Sequence, residues 1–171
     1  MLQNFMYVHD IKDFDTKKSE VLQGIEKLGV HSAFEDKQRI SNTDWFLNPN
    51  INRSYMTPLK SDIDSVLACV IEGNLDVDGF NLAVTNFWFQ QYEAGDFHNW
   101  HIHALATYSA VVFIELASGA ETQFKIKNQV LSYPVKEGQI LVFPSSFVHR
   151  SPQNTSGHRK TIVSFNMEAV G

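Results

Sequence analysis

From Asn81 onward the chain is a succession of short β-branched and aromatic runs: NLAVTNFWFQQYE, HIHALATYSAVVFIEL, ETQFKIKN, QVLSYPV, QILVFP and HRKTIVSFNMEA. Gly, Pro, Asn or Asp separates most of them, and no helical period lies between. Short strands at this spacing predict a sandwich or barrel rather than a parallel sheet. The preceding half reads differently. Residues 16–28, TKKSEVLQGIEKL, put Val21, Ile25 and Leu28 on one stripe, which predicts an amphipathic helix. Residues 30–60 are rich in Asn, Ser, Thr and Pro without lasting periodicity, and read as a long irregular segment. SDIDSVLACVIEGNL then predicts a second helix, with Ser61 as N-cap and Asp64 three residues on. The expectation is a mainly β, α+β fold: a jelly-roll core with helices packed on one face. No linker or repeat divides it, so residues 1–171 read as one domain, with a helical and irregular part (1–80) on a core (81–171).

Composition narrows the partners. A chain of 171 residues with 43% hydrophobic and 19% charged residues can build a core and is not disordered. The net charge of -5 argues against phosphate-rich surfaces, making nucleic acid an unfavoured partner. Cys69 is the single cysteine, so neither an intramolecular disulfide nor a Cys-rich zinc site is available. No apolar run is long enough for a membrane span and no leader pattern opens the chain, so a cytoplasmic location is the expectation.

HNWHIH places three of the seven histidines, His98, His101 and His103, within six residues. On a strand, residues two apart share a face, so His101 and His103 point together, Ile102 points away, and His98 has the wrong parity. Two imidazoles need a third ligand for a stable site, and His149, at the end of a different strand, is the available donor. An H-x-H pair alone is equally compatible with surface or core histidines. His9, His31 and His158 have no such companions.

Ten residues after His149 comes Arg159, sharing a strand face with Thr161, Val163 and Phe165, while Lys160, Ile162, Ser164 and Asn166 share the other. An inward arginine would need an anion, and its planar fork suits a carboxylate, with the Thr161 hydroxyl beside it. Parity alone leaves open whether Arg159 points inward or into solvent. On the strand before the histidines, Asn86, Trp88, Gln90 and Tyr92 form the more polar face and suit a wet cavity, with Phe87 and Phe89 under the helices. Trp88, Trp100 and Tyr108 either line a substrate mouth or pack.

Four segments in this order, WFQQYEAGDFHNWHIH, YSAVVFIEL, EGQILVFPSSFVHRSPQN and RKTIVSFN, resemble the iron(II)- and 2-oxoglutarate-dependent oxygenases. Within them the chain is similar to a small group met in marine bacteria and phages. The resemblance covers residues 81–167 and implies a double-stranded β-helix core. It implies Fe(II), 2-oxoglutarate and O2 as cofactor and cosubstrates, with His101, His103 and His149 as metal ligands. It further implies that Arg159 and Thr161 hold the distal carboxylate of 2-oxoglutarate and that Tyr92 and Gln90 contact the cosubstrate. The implied reaction hydroxylates a peptidyl or small-molecule substrate, releasing succinate and CO2, in the host cytoplasm if the chain is phage-encoded. A homodimer is the default oligomer.

One position departs from the pattern. His103 stands where the superfamily carries Asp or Glu, although the small group also shows H-x-H. A neutral imidazole leaves a divalent site one negative charge short. Two alternatives therefore stay open: a cupin-like three-histidine dioxygenase that does not use 2-oxoglutarate, and a non-catalytic jelly-roll binding or virion-associated protein.

Overall fold

The chain folds, in a computed structural model describing residues 6–29, 31–73, 81–116 and 118–170, into two six-stranded antiparallel sheets, eight of whose strands come from the strand-rich half. The elements run β1 (Tyr7–Asp10), α1 (Phe14–Glu26), β2 (Ala33–Glu35), β3 (Gln38–Ile40), β4 (Asn42–Thr43), a 3-10 turn (Ser54–Leu59), α2 (Lys60–Glu72), β5 (Asn81–Tyr92) and β6 (Phe97–His101). They continue with β7 (Tyr108–Glu115), β8 (Gln123–Ile126), β9 (Gln129–Ser132), β10 (Gln139–Pro144), β11 (His149–Ser151) and β12 (Lys160–Val170). The first sheet has the order β1-β10-β7-β12-β5-β4 and the second β2-β3-β6-β11-β8-β9. Consecutive strands thus alternate largely between facing sheets, the double-stranded β-helix arrangement.

Alternation along the long strands sorts side chains into two cores. Phe89, Val112, Ile114, Val163, Phe165 and Met167 face the helices, where Val21, Ile25, Leu59 and Val66 cover them. Tyr92, Val111, Phe113, Leu141, Phe143 and Ile162 face the space between the sheets. Each such side chain removed from water contributes about 1.5–3 kcal/mol. Helix α1 seats closely on the 3-10 turn because Gly24 has no Cβ: an added one would lie 2.8 Å from the Tyr55 Cα and backbone nitrogen. Gly24→Ala should therefore cost about 1–3 kcal/mol by overpacking, read as a lower denaturant midpoint at unchanged m-value.

Several sequence expectations shift. Helix α1 begins at Phe14 and ends at Glu26, leaving Leu28 just past its end but packed on the core. Ser61 is not an N-cap, because α2 continues directly out of the 3-10 turn and starts at Lys60. The expected end of that helix, residues 74–75, lies outside the described residues. The segment 30–60 is not irregular throughout. It supplies β2, β3, β4 and the 3-10 turn, and β3 and β4 add to the edges of β6 and β5. Its strands are two or three residues long, too short for a period to show. The rest is held by Asp44, fully buried, which accepts from Arg53 Nε (2.6 Å), Tyr55 Oη (2.8 Å) and the Phe89 backbone N–H (2.8 Å). No helix among the described residues is long and apolar enough to cross a membrane.

Candidate metal centre

The turn at Gly95 (φ +88°) delivers the chain into β6, and β6 pairs with β11 so that His101 opposes His149. The next pair on β11, two residues on, is Ser151 with His98, three residues back on β6. This bulge breaks strict alternation. The parity argument that sent His98 to the opposite face therefore fails: its ring stacks on His101 at 3.9 Å between centroids, with 14° between planes. The strand also ends at His101, so His103 reaches the cluster from the segment beyond it, its backbone N–H donating to the Ser145 carbonyl at 3.1 Å. Ile102 is half-exposed on the cleft rather than packed in another layer.

The three histidines picked out by the sequence converge. One ligand atom from each of His101, His103 and His149 lies within 4.8 Å of the others. The His103 ring is stacked between Trp88 (5.5 Å) and His149 (5.1 Å), and Phe143 packs edge-on to His149 at 4.7 Å. Two of the rings have their second nitrogen engaged by a backbone carbonyl: His101 Nδ1 at 2.7 Å from Asn99 O, and His149 Nδ1 at 2.8 Å from Phe147 O. A carbonyl only accepts, so each Nδ1 carries the proton and each Nε2 keeps its lone pair. Burial, reinforced by the neighbouring rings, depresses His149 to about 2, His98 to about 3 and His103 to about 4. Burial also lowers His101. The cluster is thus neutral at physiological pH, the state in which imidazole binds a cation. Asp96 supplies no carboxylate to it: both its oxygens accept from Arg39, Ser41 and the Glu93 N–H.

The cluster stands at the inner end of a cleft of about 620 Å³. Trp45, Phe46, Ile102 and Leu105 form its exposed apolar rim, and Trp88 its inner wall. Trp100 lies outside it, under the Arg150 guanidinium at 4.5 Å, and Tyr108 packs toward the helix-side core. Behind the histidines a narrow recess is bordered by Gln90, Tyr92, Ser151, Ile162 and Ser164. Gln90 and Tyr92 are therefore where the polar face of β5 should place them.

Arg159 and Thr161 are not. Arg159 forms a forked ion pair with Glu115 (Nε–Oε2 2.8 Å, Nη2–Oε1 3.2 Å), its side chain 36% exposed. The Thr161 hydroxyl also donates to Glu115 and accepts from Gln91 Nε2. The inward expectation is corrected by register: β12 pairs Lys160 with Tyr92, Ile162 with Gln90 and Ser164 with Trp88, and directly opposed residues share a face. The inner residue is Lys160, which sequence reasoning passed over. It is fully buried, its Nζ donating to Ala120 O (2.6 Å) and Ser151 Oγ (2.8 Å) and lying 5.4 Å from the Tyr92 ring centroid. No carboxylate among the described residues pairs with it, and burial pulls it down to about 7 against a weaker upward pull from Glu121. Beside it the Tyr92 hydroxyl is buried next to Ser151, makes no hydrogen bond of good geometry among the described residues, and has its pKa raised by burial against a smaller lowering from Ser151. A signal for Lys160 existed: Thr161, Val163, Phe165 and Met167 are the more apolar set of that strand and belong under the helices.

No protein-family model and no curated protein matches the sequence. Solved structures do match the fold. A Pseudomonas putida prolyl-4-hydroxylase superposes with a TM-score of 0.69 at 14% identity, covering 97% of this chain and 93% of that one. A Trichoplax adhaerens prolyl hydroxylase, solved with a hypoxia-inducible-factor peptide fragment, gives 0.72 at 15% identity, over 96% and 84%. A viral collagen prolyl hydroxylase from Paramecium Bursaria Chlorella virus-1, solved with 2-oxoglutarate, gives 0.64 at 14%, over 97% of both chains. At these identities the likeness is one of fold: a double-stranded β-helix.

Proposed function

We propose that the chain is an Fe(II)- and 2-oxoglutarate-dependent oxygenase that hydroxylates a peptidyl or small-molecule substrate. One observation carries the reading: a fully buried lysine with no counter-ion among the described residues lies against Tyr92 and Ser151, which border the recess behind three converging histidines. Burying a cation unpaired is costly, so the site fits an anion that is part of the working protein. A 2-oxo acid with a second carboxylate answers both ends. Lys160 and Tyr92 would hold its distal carboxylate, and His101, His103 and His149 would hold the metal toward its 2-oxo end. Three neutral nitrogen donors beside an open cleft suit a non-haem iron that keeps positions free for cosubstrate and O2. When bound, iron and 2-oxoglutarate supply oxygen activation coupled to decarboxylation, with succinate, CO2 and a hydroxylated substrate as products.

The chain's own residues then orient and exclude. Lys160 would anchor the carboxylate, with Tyr92 Oη and the Ser151 hydroxyl, which already accepts from Lys160, beside it. Trp88 and Phe143 hold the rings of His103 and His149 and keep water from that side. The recess now has about 30 Å³ free, room for a water or two, so a five-carbon diacid enters only as its walls part. Gln90 and His98 are among the side chains that border both recess and cleft. Among the described residues the cleft carries no Lys or Arg and one acid, Glu168, so its substrate is apolar and neutral or cationic. That is opposite to what nucleic-acid phosphates need.

Anaerobic titration with Fe(II), with and without 2-oxoglutarate, tests the reading through the visible charge-transfer band of an iron-bound 2-oxo acid. The band should need both components and persist at unchanged affinity in Arg159→Ala, which loses only a part-exposed ion pair and at most about 1 kcal/mol of stability. Metal uptake without a band would favour a three-histidine dioxygenase that uses no 2-oxoglutarate. No uptake would leave a binding protein.

A further inference from the structure

His101 and His149 solve the same problem in the same way: each donates Nδ1–H to the backbone carbonyl two residues before it. His103 lies past the end of β6, and its Nδ1 faces a side chain instead, with Asn166 Nδ2 at 3.3 Å. Asn166 is buried on the inner face of β12, and its Oδ1 accepts from Ser109 Oγ at 2.9 Å. Ser109 Oγ in turn lies 2.8 Å from Ser145 Oγ, and Ser145 O accepts the backbone N–H of His103. The four residues close a ring of contacts around the one ligand position that departs from the superfamily's carboxylate.

We propose that Asn166 is the positioning residue that makes an imidazole usable as the third ligand. With its amide turned by 180° from the orientation in the structure, which exchanges two atoms of nearly equal size, Asn166 Oδ1 accepts Nδ1–H and leaves Nε2 unprotonated for metal, as the carbonyls do for the other two rings. The amide as it stands, with Nδ2 toward His103, would donate to Nδ1 and leave the proton on Nε2, so a ligating His103 needs the turned amide. Ser109 permits the required orientation, because a hydroxyl can accept from the Asn166 Nδ2 while donating to Ser145. Trp88 and His149 fix the plane of the ring and Asn166 fixes its proton, so a ligand outside regular strand is as well defined as those within it. The inference rests on the metal-centre reading above.

The test is a double-mutant cycle in Co(II) affinity, followed by the visible d–d bands of the full-length protein. Asn166→Leu should weaken Co(II) binding about 10- to 100-fold, the effect typical of removing a ligand's outer partner. In a His103→Ala background the same change should cost less than about twofold, because the ring it orients is gone. Asn166→Asp keeps the volume and an acceptor, and should hold Co(II) at least as tightly as the wild type. It also decides the matter if the leucine variant fails to fold. Equal losses from Asn166→Leu in both backgrounds, or a large loss in Asn166→Asp, would overturn the proposal. If His101→Ala and His103→Ala themselves leave affinity unchanged, it is the metal centre that fails.

Discussion

Lys160→Met should bind 2-oxoglutarate roughly 30- to 5,000-fold more weakly than the wild type, the cost of about 2–5 kcal/mol for removing one partner of a buried charge pair. The same variant, without ligand at neutral pH, should be more stable than the wild type by about 1–3 kcal/mol, because an unpaired buried cation is replaced by an apolar chain of similar length. Two hydrogen bonds, to Ala120 O and Ser151 Oγ, are lost in exchange and keep the gain modest. Opposite signs in one variant separate a binding residue from a structural one. The pH dependence follows from the depression of Lys160 from 10.5 to about 7 by burial. Between those values the unfolded chain holds a proton that the folded chain has released, so stability should rise with pH, by up to about 1.4 kcal/mol per unit. The rise should vanish in Lys160→Met. An anion binds the protonated amine, so 2-oxoglutarate affinity should fall about tenfold per unit above pH 7 in the wild type. Isothermal titration and denaturant unfolding across pH 6–10 read both. Unchanged affinity in Lys160→Met would remove the anion site.

Single alanine substitutions at His101, His103 and His149 should each reduce Fe(II) affinity beyond the roughly 10- to 100-fold expected of an outer partner, because each deletes a donor from a set of only three. His98→Ala is the informative control. Its ring stacks on His101 and borders the cleft, yet it stands outside the converging group, so its loss should be several-fold at most. Anaerobic equilibrium dialysis gives all four values. Equal losses at the four positions would make His98 a ligand and replace the three-donor centre with a closed four-histidine one, whose chemistry would be structural rather than oxygen-activating.

Period-two alternation sorted β5 correctly, placing Trp88, Gln90 and Tyr92 inward and Phe87 and Phe89 toward the helices. The same rule misplaced His98, because the β6–β11 bulge adds a residue that no local composition announces. It also left Arg159 and Thr161 undecided, although register against β5 assigns the inner face to Lys160 at once. The walls of the cleft were least legible. Strands of two or three residues in the segment 30–60 have no period to read, and Asp44 holds that segment through partners nine, eleven and 45 residues away.

What the sequence determined by itself is what repeats along it: strand-sized apolar runs, their turn punctuation, and three histidines at the ends of two such runs. Those features follow from local backbone geometry and the hydrophobic effect, which act over a few residues and leave a pattern. The choice of Lys160 over Arg159 depended on the tertiary structure. Both are cations, adjacent in the chain, and each alone is a plausible partner for a carboxylate. Only the packing of β12 between β5 and β7 decides which of them gives up water, and that desolvation gives the lysine its use for an anion.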